Sequence, residues 1–385
     1  MKKKILAITT IRSDYDLMSG LYTLLNNDPE FELKLLVGGA HLSHTYGNSF
    51  IEIKNDGFEV LLGIESLIDS NSKSSRLKTA SILLQNSIDV VAQFAPDLIL
   101  FAGDREDVLV GAMLGGYLQI PTIHFFGGDH VPDGHIDNPV RHSVSKLSSV
   151  HFVAIDKHKE RLLHLGEESE RIFVIGSISL DRFVTHKPVS IEVLRNDLNI
   201  SQGFNEFALV IFHPHDIEMG ISHEIFENIL LELRSKGIDA FVSIPNTDPG
   251  NKALLDVIQK YKNDKNFYFY KNLPRDKFLS IYKNSKLIIG NSSSGIIESA
   301  SIPVPAINVG LRQKGRLSNG NVIFTDSDRN SISKAIEKAL SKNFIYGFNE
   351  NLYGDGKSAI RAYKIIKNND FKKFLYKQND PLNYH

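Results

Sequence analysis

The sequence predicts an α/β fold with two parallel sheets, each covered by helices on both faces. Short apolar runs of strand length recur along the chain, among them 5–10, 98–102 and 207–212. Segments with helical periodicity, such as 222–235, separate these runs, and this alternation is typical of doubly wound sheets. Because 385 residues exceed one ordinary hydrophobic core, we expect two such domains.

Six apolar runs in the first half have the length and composition of strands. The first follows the basic tip Lys2–Lys4 and has no polar alternation, which is typical of a parallel strand buried on both faces. The predicted strands are Ile5–Thr10, Phe31–Val37, Leu98–Ala102, Pro121–Phe126, Val150–Ala154 and Ile172–Ile175.

Helical patterns lie between these strands. One begins after the loop 11–14, a second covers 77–94 and is stopped by Pro96, and a third covers 105–118. The polar segment 69–75 is predicted as a loop because it consists mostly of serine, asparagine and aspartate.

The second half repeats the alternation without repeating the sequence. Its predicted strands are Phe207–Phe212, Ala240–Ile244, Phe267–Tyr270, Leu287–Gly290 and Val304–Val309, and its predicted helices are Ser222–Ser235, Lys252–Lys262, Arg275–Asn284, Gly295–Ala300 and Ser331–Leu340. The break at 176–181 marks the domain boundary. We expect a first domain of residues 1–178, joined by a C-terminal helix within 359–385, and a second domain of residues 179–358. Two such halves favour a ligand held between them.

The composition excludes several classes of protein. Charged residues make up 23% and the formal net charge is −1, so nothing indicates a nucleic-acid or membrane partner. The absence of cysteine excludes disulfides, thiolate metal sites and cysteine nucleophiles. No apolar run approaches the roughly 18 residues that span a membrane, and none has the form of a signal peptide. We therefore expect a cytoplasmic protein.

Three acids and an arginine cluster around the predicted strand ends of the first domain. Asp104 and Asp129 each follow a strand and a glycine, and Asp137 lies four residues before Arg141 at a predicted helix start. Ligands of open parallel sheets bind beyond the carboxyl ends of the strands, so these side chains and His124 should converge. The alternative is that Asp104 and Asp129 only cap helices. The convergence favours a catalytic site.

A serine-rich loop in the second domain has the features of an anion site. The segment 290–295 connects a strand to a helix, and its small residues admit an anion to the N–H groups at the helix N-terminus. Its candidate ligands are Ser292, Ser293, Ser294 and Gly295. Glu298, one turn later, could bind ribose hydroxyls. The alternative is a helix cap without a ligand. The chain has neither G-x-G-x-x-G nor the Walker lysine pattern in this loop, which argues against NAD and ATP.

Basic side chains follow other strand ends. His213 comes directly after the first strand of the second domain, and Arg12 follows the first strand of the chain. Arg312, Lys314 and Arg316 follow the strand 304–309, where they suit a diphosphate, although a solvated basic loop is the alternative.

Histidines and acids near these strand ends raise the alternative of a metal site. The residues concerned are His124, His130, His135, His142 and His215, with Asp129, Asp137 and Asp216. No H-E-x-x-H or other fixed ligand spacing occurs, so we assign no metal ligand.

Together these motifs resemble the hydrolysing UDP-N-acetylglucosamine 2-epimerases of bacterial sialic- and legionaminic-acid synthesis. The similarity runs from Arg12-Ser-Asp-Tyr15 to about Ile323 and is carried by Gly38–Ser43, Gly103–Arg105, Gly127–Asp129, Ile136–His142, Phe212–Pro214, Pro245–Asp248, Asn291–Glu298 and Gly310–Arg316. The resemblance implies two Rossmann-like domains in the glycosyltransferase B arrangement, with UDP held mainly by the second. It also implies a homodimer, a UDP-2-acetamido sugar as substrate, and no cofactor or metal.

The resemblance further implies roles for individual residues. Asp104, Asp129, Asp137, Arg141 and His213 match the family's catalytic groups. The matching substrate-binding positions are Arg12, Asp14, His41, Asn246, Ser292, Ser293, Ser294, Gly295, Glu298, Arg312, Lys314 and Arg316. In the implied reaction UDP is eliminated to leave a 2-acetamidoglucal, and water then adds to give a free N-acetylmannosamine-type sugar. Such a reaction needs a base, an acid and cations for the departing diphosphate.

The chain departs from the family pattern at the sugar side. Asp129 stands where the family usually has Glu, and Phe125-Phe126 replaces a more polar stretch. We interpret the two phenylalanines as an apolar wall that changes which sugar is used, with UDP-N-acetylglucosamine, UDP-N,N'-diacetylbacillosamine and a GDP sugar as the alternatives. The competing functions are a glycosyltransferase of the same architecture, a non-hydrolysing 2-epimerase and a non-catalytic nucleotide-sugar-binding protein.

Overall fold

Two parallel sheets organise the chain, as the sequence predicts. The computed structural model describes residues 2–46, 48–70, 72–131, 136–200, 203–245, 250–271, 273–302, 304–342, 344 and 350–380. The strands are β1 Lys3–Thr9, β2 Phe31–Val37, β3 Val60–Gly63, β4 Leu98–Ala102, β5 Thr122–Phe125, β6 Val150–Val153, β7 Ile172–Val174, β8 Phe207–Ile211, β9 Asp239–Ser243, β10 Phe267–Tyr270, β11 Leu287–Gly290, β12 Ala306–Val309 and β13 Val322–Thr325.

Helices connect the strands in both halves. They are α1 Arg12–Asn26, α2 Phe50–Asn55, α3 Lys73–Phe94, α4 Glu106–Leu118, α5 Asp137–Leu147, α6 Asp156–His164, α7 Leu180–Thr185, α8 Ile191–Asp197, α9 Ser222–Ser235, α10 Asn251–Tyr261, α11 Arg275–Asn284, α12 Ser294–Ile297, α13 Arg329–Leu340 and α14 Ser358–Asn368. Within the described ranges, every helix is too short or too polar to cross a bilayer.

The first compact unit contains the described residues as far as His130, those of 136–182, and those from Tyr353 onward. Its sheet has the order β3-β2-β1-β4-β5-β6-β7, and every pairing is parallel. Apolar clusters fill both faces of this sheet. The C-terminal helix α14 packs against α1, where Tyr363 and Lys367 both donate hydrogen bonds to the Asp28 carboxylate.

The second compact unit is formed chiefly by Phe183–Leu352. Its sheet has the order β10-β9-β8-β11-β12-β13, again with parallel pairings throughout. In both sheets the strand order reverses next to the first strand of the unit, between β1 and β4 and between β8 and β11. Ligands of such sheets bind at this switch point. The predicted α/β class is therefore confirmed.

Three local predictions are wrong. The last residues of the predicted loop 69–75 belong to α3, which begins at Lys73 after an extended Ser72. The predicted helix 295–300 is only the four-residue α12 followed by a 3-10 turn at Ser299–Ser301. Strand β12 begins at Ala306 and not at Val304, because the Val304 N–H bonds locally to the Ile302 carbonyl.

Candidate active site

Glycines at the ends of β4 and β5 turn the chain so that the acids lie beyond the sheet. Gly103 has φ +118° and directly precedes Asp104. Gly128 has φ +73°, and a Cβ atom there would lie 2.2 Å from the carbonyl oxygen of His158. Only glycine fits such a position, since the conformation is left-handed and the contact is with backbone. The glycine therefore fixes where Asp129 emerges.

Arg141 contacts two of the three candidate acids of the first unit. Its guanidinium group is ion-paired with the Asp104 carboxylate and donates a hydrogen bond of 2.9 Å to the Asp129 carbonyl oxygen. Arg141 is only 4% exposed, and it also donates to Asn138 Oδ1 at 3.3 Å. The structure thus brings Asp104, Asp129 and Arg141 together as the sequence predicts, and Asp104 is a partner of arginine and not a helix cap.

The Asp129 carboxylate has a histidine neighbour that sequence reasoning missed. His158 Nε2, on α6, lies 3.3 Å from Asp129 Oδ1, and the backbone N–H of His130 donates to the same oxygen at 2.8 Å. Both Asp129 and His158 are buried. The pairing had no sequence signal, because α6 reaches Asp129 only through the packing of His158 onto Gly128.

His124 is a structural support and not a ligand. Its Nε2 lies 2.9 Å from the Gly103 carbonyl oxygen, and its Nδ1 lies 3.3 Å from Ser145 Oγ. Complete burial lowers the pKa of His124 to about 3, so the ring is neutral at physiological pH. The neutral ring holds the Gly103 carbonyl next to Asp104.

Asp137 lies in a second ion-pair group next to the first. Its Oδ1 is 3.6 Å from Arg76 Nη2, and Arg76 also binds Glu106 at 2.6 Å. Burial opposes the charge of Glu106, but the hydrogen bond from Arg76 and the positive charges of Arg105 and Arg76 together lower the pKa of that carboxyl. Arg76 and Glu106 were not predicted, because α3 and α4 contribute them from distant parts of the sequence.

The first loop of the unit carries a further polar group. The Asp14 carboxylate accepts hydrogen bonds from the Thr9 hydroxyl and from the Thr10 N–H, the latter at 3.0 Å. The Thr9 hydroxyl also lies 2.9 Å from Nε2 of the buried His41. The predicted positions Asp14 and His41 are therefore in one network at the end of β1.

An unpredicted acid, Asp107, adjoins the same loop. It accepts a hydrogen bond from Thr10 Oγ1, and burial raises the pKa of Asp107 to about 6. Arg12, which the resemblance marks as a substrate-binding position, is ion-paired with Glu52 at 3.2 Å and with Asp16 at 3.7 Å.

One prediction about the sugar side is wrong. Phe125 is 1% exposed and packs edge-to-face on Phe152, with ring centroids 5.2 Å apart in the hydrophobic core. It cannot form the wall of a pocket. Phe126 is half-buried with φ +68° and packs against the same core.

In the second unit, Asn291 ties the serine loop to the end of β8. Its side-chain amide exchanges two hydrogen bonds of 2.8 Å with the backbone N–H and carbonyl of His213. Arg312 donates to the Asn291 carbonyl at 2.8 Å. Gly290 permits this approach, because a Cβ there would lie 2.0 Å from the Ile211 carbonyl oxygen. The structure thus brings the predicted residues His213 and Arg312 to the loop. Asn291, which links them, was not predicted from the sequence.

The loop Asn291–Gly295 presents donors that have no partner among the described residues. The backbone N–H groups of Ser292 and Ser293 donate to no acceptor there, whereas the Ser294 N–H donates to Ser292 Oγ at 3.3 Å. Ser292, Ser293, Ser294 and Gly295 are all partly exposed. Glu298 is buried, and its Oε2 has no hydrogen bond within the described ranges. The two N–H groups could therefore hold an anion, with the Glu298 carboxylate as a neighbour.

Asn308 is a polar side chain that the sequence did not mark. It lines a small cavity beneath the loop together with Gly290, Ser292 and Gly295. Asn308 is 3% exposed, and neither amide atom has a hydrogen-bond partner among the described residues. A buried amide of this kind needs a water molecule or a ligand.

The two remaining basic positions make other contacts. Lys314 is exposed and lies 3.5 Å from Asp326, and Arg316 is buried and donates to Gln313 at 2.9 Å. The loop that contains them is held by Glu218, whose Oε2 accepts from the Leu311 N–H at 3.0 Å. Burial opposes the charge of Glu218, but the neighbouring His215 and the hydrogen bond from the Leu311 N–H lower the pKa of its carboxyl.

Asn246 and His135 lie outside the described residues. Among the described residues, no group of three or more His, Asp or Glu side chains could hold a metal ion. The rings of His130 and His142 stack with centroids 5.9 Å apart, and His215 Nδ1 lies 3.8 Å from Glu218.

Comparison with known proteins identifies similar chains. A family model described as UDP-N-acetylglucosamine 2-epimerase matches residues 23–367. The chain is 34% identical to a hydrolysing UDP-N,N'-diacetylbacillosamine 2-epimerase of Legionella pneumophila, over 95% of this chain and 96% of that protein. It is 33% identical to a hydrolysing GDP/UDP-N,N'-diacetylbacillosamine 2-epimerase of Campylobacter jejuni, over 89% of each.

A solved structure has a similar fold. The UDP-GlcNAc 2-epimerase of Methanocaldococcus jannaschii, in complex with UDP-GlcNAc and UDP, superposes with a TM-score of 0.77 at 19% identity. The match covers 94% of this chain and 99% of that one.

Proposed function

Because the chain belongs to the UDP-N-acetylglucosamine 2-epimerase family, we propose that it is a hydrolysing 2-epimerase. It would convert a UDP-2-acetamido sugar and water into UDP and the free manno-configured sugar. The two relatives above, whose names specify the hydrolysing reaction, support this proposal. The structural observation that carries it is the buried Arg141 that binds Asp104 and Asp129 at one sheet edge.

The reaction divides into an elimination and a hydration. In the elimination a carboxylate removes the proton from the second sugar carbon, the bond from the first carbon to the UDP oxygen breaks, and a glycal forms. In the hydration water adds hydroxide to the first carbon, and a protonated acid returns a proton to the opposite face of the second carbon. Asp104, Asp129 and Asp137 are the acids proposed to share these proton transfers, and Arg141 orients them.

UDP is proposed to bind the second unit. The N–H groups of Ser292 and Ser293 would bind the diphosphate, with His213, Arg312, Lys314 and Arg316 supplying positive charge or donors. Glu298 would accept hydrogen bonds from the ribose hydroxyls, which accounts for a buried carboxylate oxygen without a protein donor among the described residues. Arg12, Asp14, His41 and Asn246 would complete the substrate site.

The relatives also indicate the sugar. Both act on N,N'-diacetylbacillosamine nucleotides by name, so UDP-N,N'-diacetylbacillosamine is the proposed substrate, ahead of UDP-N-acetylglucosamine. A free 2,4-diacetamido sugar of this kind suits nonulosonic (legionaminic-type) acid synthesis for a surface polysaccharide. Since nucleotide sugars are cytoplasmic metabolites, we place the enzyme in the cytoplasm.

Turnover in deuterated water tests the reaction. The protein is incubated with each UDP sugar in D2O, UDP release is measured, and the free sugar is examined by NMR. We expect one solvent deuterium on the second carbon of a manno-configured product, because elimination removes the original proton. A glycosyltransferase that hydrolysed its donor would leave this carbon unlabelled, and that result would contradict the proposal. A non-hydrolysing epimerase would release no free sugar.

We also propose that the protein is a homodimer. The adjacent helices α3 and α4 expose large apolar side chains, with Leu77 72% and Tyr117 86% accessible. Replacing Tyr117 by Glu should convert the dimer to a monomer in sedimentation-velocity measurements. Tyr376→Glu is the matched control, because Tyr376 is 64% exposed elsewhere on the same unit. A wild-type monomer, or a Tyr117→Glu variant that stays dimeric, would refute this interface.

A further inference from the structure

A partly buried group of charged and titratable side chains has no role in the reaction described above. We call it the Glu167 cluster; it consists of Glu167, His151, Lys146 and Lys377. Glu167 Oε2 accepts a hydrogen bond of 2.6 Å from Lys377 Nζ and lies 3.0 Å from His151 Nε2. Lys146 Nζ lies 2.9 Å from the other carboxylate oxygen. The cluster joins the C-terminal segment of the chain to β6 and α5.

The C-terminal segment is fixed to this place by a second residue. The Arg171 guanidinium donates hydrogen bonds to the carbonyls of Phe374 and Tyr376, at 2.5 and 2.6 Å, and to the Ser149 carbonyl at 3.2 Å. Arg171 is 3% exposed. Because these bonds hold the backbone on both sides of residue 375, the Lys377 side chain enters the cluster from a defined position.

Stability alone does not account for the cluster. The Glu167 and His151 side chains are fully buried, and the desolvation of buried charges cancels much of what their pairing contributes. A packed apolar group would hold the C-terminal segment as well or better. The arrangement of the charges therefore calls for a further explanation.

Lys377 binds the end of the helix that carries the candidate site. Besides Glu167, its ammonium group donates hydrogen bonds of 2.9 Å to the carbonyls of Ser145 and Lys146, in the last turn of α5. A cation at a helix C-terminus satisfies carbonyls that have no partner in the helix. Helix α5 begins at Asp137 and carries Arg141, so Lys377 fixes the far end of the helix that presents both.

A side-chain network leads from this helix end to Asp104. Ser145 Oγ donates to the Arg141 carbonyl at 3.0 Å and lies 3.3 Å from His124 Nδ1. His124 in turn holds the Gly103 carbonyl. The last turn of α5 therefore contacts the Arg141 backbone and His124, the ring that holds the chain next to Asp104.

We propose that Lys377 is a positioning residue of the reaction. By binding the C-terminal turn of α5 and Glu167, it holds Arg141 and Asp137 in the positions that the reaction with the substrate requires. This proposal rests on the proposed function. It assigns the C-terminal segment, more than 200 residues from the acids in sequence, to the support of the active site.

The proposed role of Lys377 predicts a particular pH dependence of activity. Burial lowers the pKa of Lys377 to about 8, although Glu167 opposes this shift. The other charged groups facing it are Lys146 and Arg171, and it also faces His151, whose pKa burial lowers. Above pH 8 the ammonium loses its charge, and its hold on the α5 carbonyls weakens. A lysine whose pKa falls on folding favours the folded state more as pH rises from about 8 to 10.5, since the unfolded chain still binds the proton. Activity should therefore fall over a pH range in which the Lys377 contribution to stability rises.

The test compares Lys377→Met, Lys377→Arg and the control Lys373→Met, all measured by UDP release and by UDP binding. Lys373 is exposed on the same segment, 4.7 Å over the Phe374 ring. We expect Lys377→Met to lower kcat about 10- to 100-fold, the loss that small displacements of catalytic groups cause, while the Kd of UDP stays unchanged. Lys377→Arg should restore kcat and abolish the decline of kcat above pH 8 that the wild type shows. Lys373→Met should match the wild type.

The outcomes separate the two proposals. A wild type that turns over no UDP sugar contradicts the proposed function. A wild type that is active but shows no decline of kcat above pH 8, or a folded Lys377→Met variant with wild-type kcat, overturns the role of Lys377. If Lys377→Met does not fold, the wild-type and Lys377→Arg pH profiles decide: coincident profiles reject the proposal, and loss of the high-pH decline in Lys377→Arg supports it.

Discussion

Replacing Asp104 or Asp129 by Asn will lower kcat by a factor of about 100 or more, because the amide can neither accept nor return the sugar proton. The Kd of UDP should remain within about twofold of the wild-type value, since these acids are proposed to act on the sugar. Turnover is measured by UDP release, and binding is measured by calorimetry. Asp156→Asn is the matched control: Asp156 likewise follows a strand of the first sheet, it stands at the start of α6, and it is exposed.

Asp104→Asn should also lower the stability of the folded protein. Asp104 is the carboxylate partner of an arginine that is 4% exposed, so Asp104→Asn removes the charge that offsets Arg141. Because the Asp104 side chain is 30% exposed and water can replace part of the pairing, we expect a loss of about 1–2 kcal/mol in the free energy of unfolding. A variant with wild-type kcat, or equal losses of kcat in Asp156→Asn, would contradict the catalytic role.

The interior strands were predictable from sequence, whereas two of the four edge strands, β3 and β13, were not. The strands β4 and β11 are entirely buried and read as uninterrupted apolar runs, and both were predicted with their observed bounds. The strands β3 and β13 lie at sheet edges and are largely half-exposed or exposed. Each has an apolar run of only three residues, Val60–Leu62 and Val322–Phe324, and pairing on one side alone holds each strand in its sheet.

In the candidate site, too, local sequence features predict some residues, whereas tertiary packing alone places others. The positions of Asp104 and Asp129 follow from strand ends and glycines, which are local features of the sequence. The Asp129 neighbour His158 comes from α6, and Lys377, which binds the last turn of α5, comes from the C-terminal segment. Their contacts depend on tertiary packing and leave no spacing in the sequence to recognise. For the same reason Phe125 was misread, since sequence does not show which face of β5 its ring packs against.

Substituting Ser293 by Tyr will weaken UDP binding about 100-fold. The N–H groups of Ser292 and Ser293 are proposed to bind the diphosphate, and each hydrogen bond to a charged group is worth about 1.5–3 kcal/mol. A tyrosine ring on the partly exposed Ser293 would cover both groups. Loss of the two bonds therefore corresponds to at least two orders of magnitude in Kd.

The binding experiment separates the anion site from the rest of the nucleotide site. Calorimetry with UDP and with uridine is carried out on Ser293→Tyr and on Ser341→Tyr, an exposed serine at the end of α13 in the same unit. We expect Ser341→Tyr to bind UDP like the wild type. Ser293→Tyr should lose the extra affinity that the diphosphate gives UDP over uridine, because a blocked loop removes only the phosphate contacts. If Ser293→Tyr is folded and still prefers UDP to uridine by the wild-type ratio, the diphosphate binds elsewhere, and the exposed N–H groups of this loop serve no anion.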